Sequence, residues 1–449
     1  MRIRLTSILL FTFAFGLAQT RIITFDEAVK IALKNGVQLN QQKNNLENAQ
    51  MQKTAAWLGF GPTVSASTSY NQINGNFFNQ NEGKVVNGLF NQASGSINAG
   101  INIFSGFNQV NRVKQFNNQL EAQMHFVERT EQDLLNTVAT QYLQVLLDKE
   151  LLRIANENWE ALKKQLEQVS EQVRVGSRSP VDEYNQDSQA KGAEIRALQA
   201  EINLVNDKAL LTQTLLLDPA EPYDVTKPSW DINQIGETES ELQATFQTAL
   251  QRRGDYLRAQ KNEVASKYAF KASRGNLYPS LFGFWNINTF YNKLDGDNTA
   301  AAFEQQVKTD NLRKVYGVQL SIPILGGNSI FQNRATVVQQ RTTYYNNQII
   351  RKNVEVQVKA DVLRAHQNFK LVKRTYSVSQ AQLNAAENAF SLETERYNLG
   401  VTNFVDFINA NRVFVQAQTD KAQAEYRLLF QKVLLDYAVG TLKIEDIQP

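Results

Sequence analysis

The side chains able to carry bond chemistry are few and scattered. The 449-residue chain has no cysteine and only two histidines, His125 and His366, far apart in the sequence. Without cysteine there is no disulfide, thiolate metal site, thiol nucleophile or lipid-modified N-terminal cysteine. No Ser-His-Asp constellation, phosphate loop or zinc spacing accompanies the histidines. Both lie in long helical patterns and read as ordinary polar helix positions. The three methionines, Met1, Met51 and Met124, make no thioether path. Neither an enzyme nor a cofactor or metal site is expected. The polar residues that do carry a pattern are two aspartates, Asp182 and Asp406, each six residues after a glycine, Gly176 and Gly400.

Those positions belong to a repeat. Val175-Gly176-Ser177-Arg178-Ser179-Pro180-Val181-Asp182 reappears as Leu399-Gly400-Val401-Thr402-Asn403-Phe404-Val405-Asp406, each residue displaced by 224. Ahead of the first copy, Val138, Val145, Leu152, Trp159, Leu166 and Val173 recur every seven residues. Val362, Phe369, Tyr376, Leu383, Phe390 and Tyr397 repeat them at the same displacement. With Leu162 and Val169 at the alternate steps, this spacing describes long helices buried along one seam, as in coiled coils. Helices are expected over about 109–173 and 332–397, each on the order of 100 Å long at about 1.5 Å per residue.

Each glycine supplies the turn at a helix end, and Ser179-Pro180 restarts the chain. Antiparallel return helices should follow, with Ile195, Ile202, Ala209 and Leu216 as the seam of the first. The tips of the two helical hairpins fall at about 174–182 and 398–406. Shorter helices are expected at 26–58, capped by Thr24 with Phe25, Ala28, Val29, Ala32 and Leu33 on one stripe, and at 239–274. The segment 218–238, with Pro219, Pro222 and Pro228, reads as a linker between repeat 1 (19–217) and repeat 2 (239–449).

Residues 1–18 read as a signal peptide: Arg2 and Arg4, an apolar run, then Gly16-Leu17-Ala18 with cleavage after Ala18. The run is shorter than the roughly 20 apolar residues that cross a bilayer. Removing its two arginines leaves 45 basic residues against 44 acidic ones, so no nucleic-acid partner is expected. With 42% hydrophobic and 20% charged residues, the chain is far from the composition of disorder.

Between the short and long helices the pattern changes to alternation. Val64, Ala66, Thr68 and Tyr70 alternate with Ser65, Ser67 and Ser69, and Ile97, Ala99, Ile101 and Ile103 with Ser96, Asn98, Gly100 and Asn102. In repeat 2, Leu281, Trp285, Ile287 and Tyr291 form one face, and Tyr316, Val318, Leu320 and Ile322 lie opposite Gly317, Gln319 and Ser321. These are two β-hairpins, about 63–104 and 279–323, with strands of about nine residues and polar loops at 71–92 and 292–311. Strands of that length span a bilayer when tilted. Four strands cannot close a barrel, and an open edge in hydrocarbon leaves backbone groups unsatisfied. Three copies would supply twelve strands. The expected fold is mainly α with a membrane β-barrel contribution, built from two tandem repeats. Each repeat is a long coiled-coil helical hairpin plus a two-stranded β-hairpin. The competing reading is a periplasmic coiled-coil structural or adaptor protein.

The chain resembles the outer-membrane efflux protein family of TolC type over essentially its whole mature length. The resemblance rests on Ile23-Thr24-Phe25-Asp26-Glu27-Ala28-Val29 with Ala32-Leu33, on Gly61-Pro62 and Tyr278-Pro279-Ser280-Leu281 before strands, on Phe104-Ser105-Gly106 and Pro323-Ile324-Leu325-Gly326-Gly327 after them, and on the two glycine tips. It implies a homotrimer in outer-membrane lipid whose 12-stranded barrel continues into a periplasmic α-helical tunnel. Such a channel is the exit duct of a tripartite efflux or type I secretion system, fed by an inner-membrane pump and a periplasmic adaptor (membrane fusion protein). The adaptor would meet the tips at Val175, Gly176, Ser177, Leu399, Gly400 and Val401. At the gate, Asp182 matches an aspartate and Tyr397 a tyrosine that pairs with it. The family's gate arginine falls on Thr402, while Arg178 stands in the other repeat. Asp406 matches an aspartate at the tunnel's narrowest part, and a second aspartate position one helical turn on is Asn409. The residues by themselves leave Asp406 a role as cap of the return helix, and the two glycines a role in the turns alone.

Overall fold

The computed structural model describes residues 21–79, 83–227, 242–297, 300–324 and 328–442. The expected signal peptide at 1–18 lies outside them. Along the chain run β1 (Arg21–Ile23), α1 (Phe25–Asn35), α2 (Val37–Leu58), β2 (Thr63–Asn79), β3 (Lys84–Ser105), α3 (Asn108–Arg174), α4 (Pro180–Leu215), β4 (Tyr223–Val225), α5 (Leu242–Arg252), α6 (Gly254–Gly275), β5 (Ser280–Leu294), α7 (Phe303–Gln305), β6 (Arg313–Ser321), α8 (Asn328–Asn398) and α9 (Phe404–Val439). The heptad stretches are single helices of 67 and 71 residues, α3 and α8. Among the described residues no helix is long and apolar enough to cross a membrane. The residues gather into two units, each drawing on both repeats: Met1–Lys43, Phe126–Asp255 and Glu355–Pro449 in one, Asn44–His125 and Tyr256–Val354 in the other.

In the first unit the heptad seam is the packed face, with Val138, Val145, Val362, Phe369 and Tyr397 all buried. The seam expected on the return helix is not. Ile195, Ile202, Ala209 and Leu216 are exposed, and α4 instead buries Gln186, Ala190, Ala193 and Ala197. The reason is volume: Ala190 and Ala193 sit against Leu162, Trp159 and Leu166, and small residues on one helix make room for large ones on its partner. Gln186 is fully enclosed and donates from Nε2 to the Leu162 carbonyl at 3.1 Å, while its Oε1 finds no hydrogen-bond partner among the described residues.

Both short helices are broken where one continuous helix was expected. α1 ends at Gly36, where a Cβ would stand 2.7 Å from the Ala32 carbonyl and 2.7 Å from Leu134 Cδ2 on α3, so the contact admits only glycine. α5 and α6 meet at Arg253, whose buried guanidinium bonds Asp255 at 3.0 Å, Asp361 at 3.1 Å and the Ala438 carbonyl at 3.4 Å. The expected helix start at 239 lies outside the described residues. The linker at 218–238 also contains structure: β4 pairs in parallel with β1, Ile22 opposite Asp224. Tyr142 of α3 ties the pair down, its hydroxyl 2.9 Å from the Ile23 carbonyl and 2.8 Å from that of Thr226. His366 of α8 is buried as well, and burial with the Lys370 charge lowers its pKa.

Asp148 of α3 is buried, accepts from Gln144 Nε2 at 3.0 Å, and is pushed up to about 7 by burial and then by the Asp207 carboxyl of α4. An unfolded aspartate titrates near 3.9. Between those values the folded chain holds a proton that the unfolded chain has lost, so stability falls as pH rises through that window, by up to about 1.4 kcal/mol per pH unit. Asp148→Asn is expected to flatten that fall and to raise the thermal midpoint at pH 8 by several degrees. Thermal melts of detergent-solubilised protein at pH 5 and pH 8 check this, and a variant melting with the wild type at both values contradicts it.

In the second unit the two expected hairpins merge into one antiparallel sheet, order β2-β3-β5-β6. Its register puts Val64, Ala99, Trp285 and Tyr316 in one cross-strand row and Ser67, Ser96, Asn288 and Arg313 in a row on the other face. The polar face is knitted by hydroxyl pairs, Ser67 with Ser96 and Ser69 with Ser94, each at 2.7 Å. β2, β3 and β5 have 17, 22 and 15 residues, longer than the expected nine, which only β6 matches. The segment 71–92 is therefore mostly strand. Its Asn and Gly content resembles a loop, but Ile73 pairs with Phe90 and Phe77 with Val86, and the Phe77 and Phe90 rings stack at 3.7 Å. At 292–311, β5 continues to Leu294 and the chain then forms α7 and a π-helical turn, Gln306–Asp310. Gln306 accepts from the Asn292 N–H at 3.0 Å and donates to the Asn292 carbonyl at 3.1 Å, covering the edge of β5 beyond the reach of β6.

Candidate functional site

The candidate site is the end of the helical hairpins. Each long helix closes in the same way. The Gly176 N–H bonds the Val173 carbonyl at 3.0 Å and Ser177 N–H bonds that of Gln172 at 2.8 Å; Gly400 and Val401 repeat this with Tyr397 at 3.1 Å and Arg396 at 2.9 Å. This double closure needs a left-handed residue, and the glycines stand at φ 77° and 73°. Both glycines face open space, so a side chain there would meet no neighbour. Val175, Leu399 and Val401 are exposed beside them, and Ser177 turns its hydroxyl back onto the Gln172 carbonyl at 2.9 Å.

The return helices start on side-chain caps. Ser179 accepts from the Val181 N–H at 3.2 Å ahead of Pro180, and Asn403 accepts from the Asp406 N–H at 3.0 Å. Asn403, not Asp406, is thus the N-cap of α9. Asp406 is the third residue of the helix and answers the cap, accepting from Asn403 Nδ2 at 2.9 Å and Thr402 Oγ1 at 3.3 Å. Its charge suits the positive end of the helix dipole. Asp406 and Asn409 are both exposed.

The two hairpins meet through Tyr397. Its hydroxyl accepts from Arg178 Nη1, and the guanidinium carbon lies 4.5 Å from its ring centroid. Arg178 comes from the first tip and Tyr397 from the second, so this contact crosses between hairpins. Asp182 is half-buried and its N–H closes the turn onto the Ser179 carbonyl at 3.0 Å, but its carboxylate has no side-chain partner among the described residues. The arginine therefore occupies the tyrosine that the resemblance assigns to Asp182. Farther along, Asn411 donates to Asn158 at 3.0 Å and Ile408 packs on the Leu162 cluster. These two contacts, and the rings of Phe407 and Phe414, did not emerge from the sequence reading. A signal was present: Phe407 and Phe414 stand seven apart on α9, as Phe390 and Tyr397 do on α8.

A family model described as outer membrane efflux protein matches residues 28–215 and 245–441, one stretch for each repeat. The chain belongs to the outer membrane efflux protein family. As members of this family do, it resides in the outer membrane and extends into the periplasm. It is 24% identical over 310 residues to the pyoverdine export outer membrane protein OpmQ of Pseudomonas aeruginosa, covering 68% of this chain and 61% of that protein. It is 21% identical over 328 residues to the outer membrane protein TolC of Escherichia coli, covering 71% and 63%. The aligned part thus spans under two thirds of either relative's length. In fold it is similar to the Campylobacter jejuni CmeC outer membrane channel, with a TM-score of 0.78 at 17% identity over 94% of this chain and 88% of that one. This efflux-family fold is mainly helical with a strand contribution to a membrane barrel.

Proposed function

We propose that three copies of this chain form the exit duct of a tripartite efflux or type I secretion system, receiving cargo from an inner-membrane pump through a periplasmic adaptor. The observation that carries this reading is the open four-stranded sheet. Among the described residues its end strands β2 and β6 each have one unpaired edge, and its apolar face carries exposed Val64, Trp285, Tyr316, Val318 and Leu320. In lipid such edges must be paired, and joining β6 of one copy to β2 of the next closes a ring of twelve strands. Trp57, exposed just ahead of β2, suits an interfacial aromatic belt. At the hairpin tips the contact of Arg178 with Tyr397 holds the two hairpins of each copy together and keeps the tunnel closed. The tips from Val175 to Ser177 and from Leu399 to Val401 offer the adaptor its docking surface.

Cross-linking of the detergent-solubilised protein is expected to give a heat-labile trimer, and monomers alone would overturn the reading. Gly400→Trp should leave that trimer intact, because the added ring enters open space, while the left-handed backbone costs about 1–2 kcal/mol at the tip. Retention of the cognate adaptor on the immobilised variant should fall at least tenfold. Loss of the trimer instead would assign Gly400 to the turn alone.

A further inference from the structure

Tyr397 is only 2% exposed although it lies three residues from a turn. Its ring stacks on Phe407 of α9, centroids 4.7 Å apart and planes 12° from parallel. Phe407 in turn lies 6.0 Å from Phe390 of α8, which stacks on Phe414 of α9 at 5.1 Å and 12°. Four rings thus alternate between the two helices of the second hairpin, one heptad apart on each. Only the ring nearest the tip, Tyr397, carries a polar group, and that group is the one Arg178 of the first hairpin engages. A tyrosine side chain swings about two torsions, and a ring stacked on its face favours one orientation beyond what burial beside an aliphatic side chain of equal volume supplies.

We propose that Phe407 is a positioning residue for the gate: it fixes the Tyr397 ring so that its hydroxyl meets Arg178, and the stack through Phe390 and Phe414 anchors that ring to the body of the hairpin. The inference rests on the reading that the Arg178–Tyr397 contact holds the tunnel closed, and it adds a residue whose ring partners are Tyr397 and Phe390, not Arg178. Its consequence is that removing the ring at 407 opens the channel as far as removing the hydroxyl at 397.

The test is single-channel conductance of purified trimers in planar bilayers without adaptor. Tyr397→Phe and Arg178→Gln are expected to raise the basal conductance severalfold. Phe407→Leu should raise it to the same level, Phe407→Leu combined with Tyr397→Phe should go no further, and Phe407→Trp should stay at the wild-type level. If Phe407→Leu does not assemble, Phe407→Met serves, an unbranched side chain without a flat face. Phe407→Leu or Phe407→Met at wild-type conductance while Tyr397→Phe is open would overturn the role of Phe407 and leave the closure reading standing. A double variant more open than either single one would also overturn it, because the ring would then act separately from the hydroxyl. Tyr397→Phe and Arg178→Gln both at the wild-type level would overturn the closure reading itself.

Discussion

Val318→Arg is expected to remove the protein from the outer membrane almost completely, whereas Gln319→Arg, one residue on, is expected to be tolerated. The two positions are neighbours in β6 and differ in face. Val318 pairs with Gly283, in the stripe with Leu281, Leu320 and Tyr316, and Gln319 pairs with Phe282 on the face that carries the serine rows. Val318 is 69% exposed in the single chain, an extent that suits contact with lipid tails. It lies near the middle of the nine-residue strand, where an arginine facing hydrocarbon costs about 2–4 kcal/mol, and the trimer would carry that cost three times. An arginine at 319 would instead project into the water-filled lumen. The measurement is the amount of heat-labile trimer in isolated outer membranes. Equal amounts of both variants would contradict the assignment of faces, and with it the barrel.

The same two faces explain how much of the fold was readable beforehand. The period of two at 64–70, 97–103 and 316–322 is a direct consequence of one wet and one apolar side, so faces and approximate strand positions followed from residue types. Strand length did not, because Asn and Gly at 71–92 satisfy a ladder as well as a turn, and only the cross-strand partners Phe90 and Val86 decide which. The long helices were legible because α3 and α8 bury large residues at a strict heptad. The α4 seam was not, because alanines packed against large residues carry little pattern, while the exposed Ile195 and Ile202 imitate a seam. The breaks at Gly36 and Arg253 depend on contacts with residues about a hundred positions away, Leu134 and Asp361, which local pattern cannot report. At the tips, the glycines, Asp406 and Arg178 were visible in the repeat itself. That Arg178 takes Tyr397, leaving Asp182 without a side-chain partner among the described residues, depends on how two hairpins approach, and the alternating rings that hold Tyr397 depend on the pairing of α8 with α9.

Asp406→Asn is expected to relieve block of the channel by a trivalent cation by about tenfold and to lower its preference for cations, while leaving the trimer unchanged. Three-fold symmetry would put three of these exposed carboxylates around one axis, and rings of aspartate attract cations in channels. The alternative, that Asp406 serves only to start α9, makes a different prediction that the tip geometry sharpens. Asn403 is the N-cap, and Asp406 contributes by accepting from Asn403 Nδ2 at 2.9 Å. An asparagine at 406 retains an oxygen for that bond and loses mainly the charge at the helix N-terminus, a matter of about 0.3–1 kcal/mol. The substitution therefore separates the two roles: helix and trimer should survive, and block should not. Because Asn409 stands where a second aspartate would double the charge, wild-type block should itself be modest, and Asn409→Asp should strengthen it severalfold. Conductance traces with and without hexamminecobalt(III) for the wild type and both variants decide the matter. Block unchanged in Asp406→Asn, together with a trimer that melts at lower temperature, would assign Asp406 to the helix start alone.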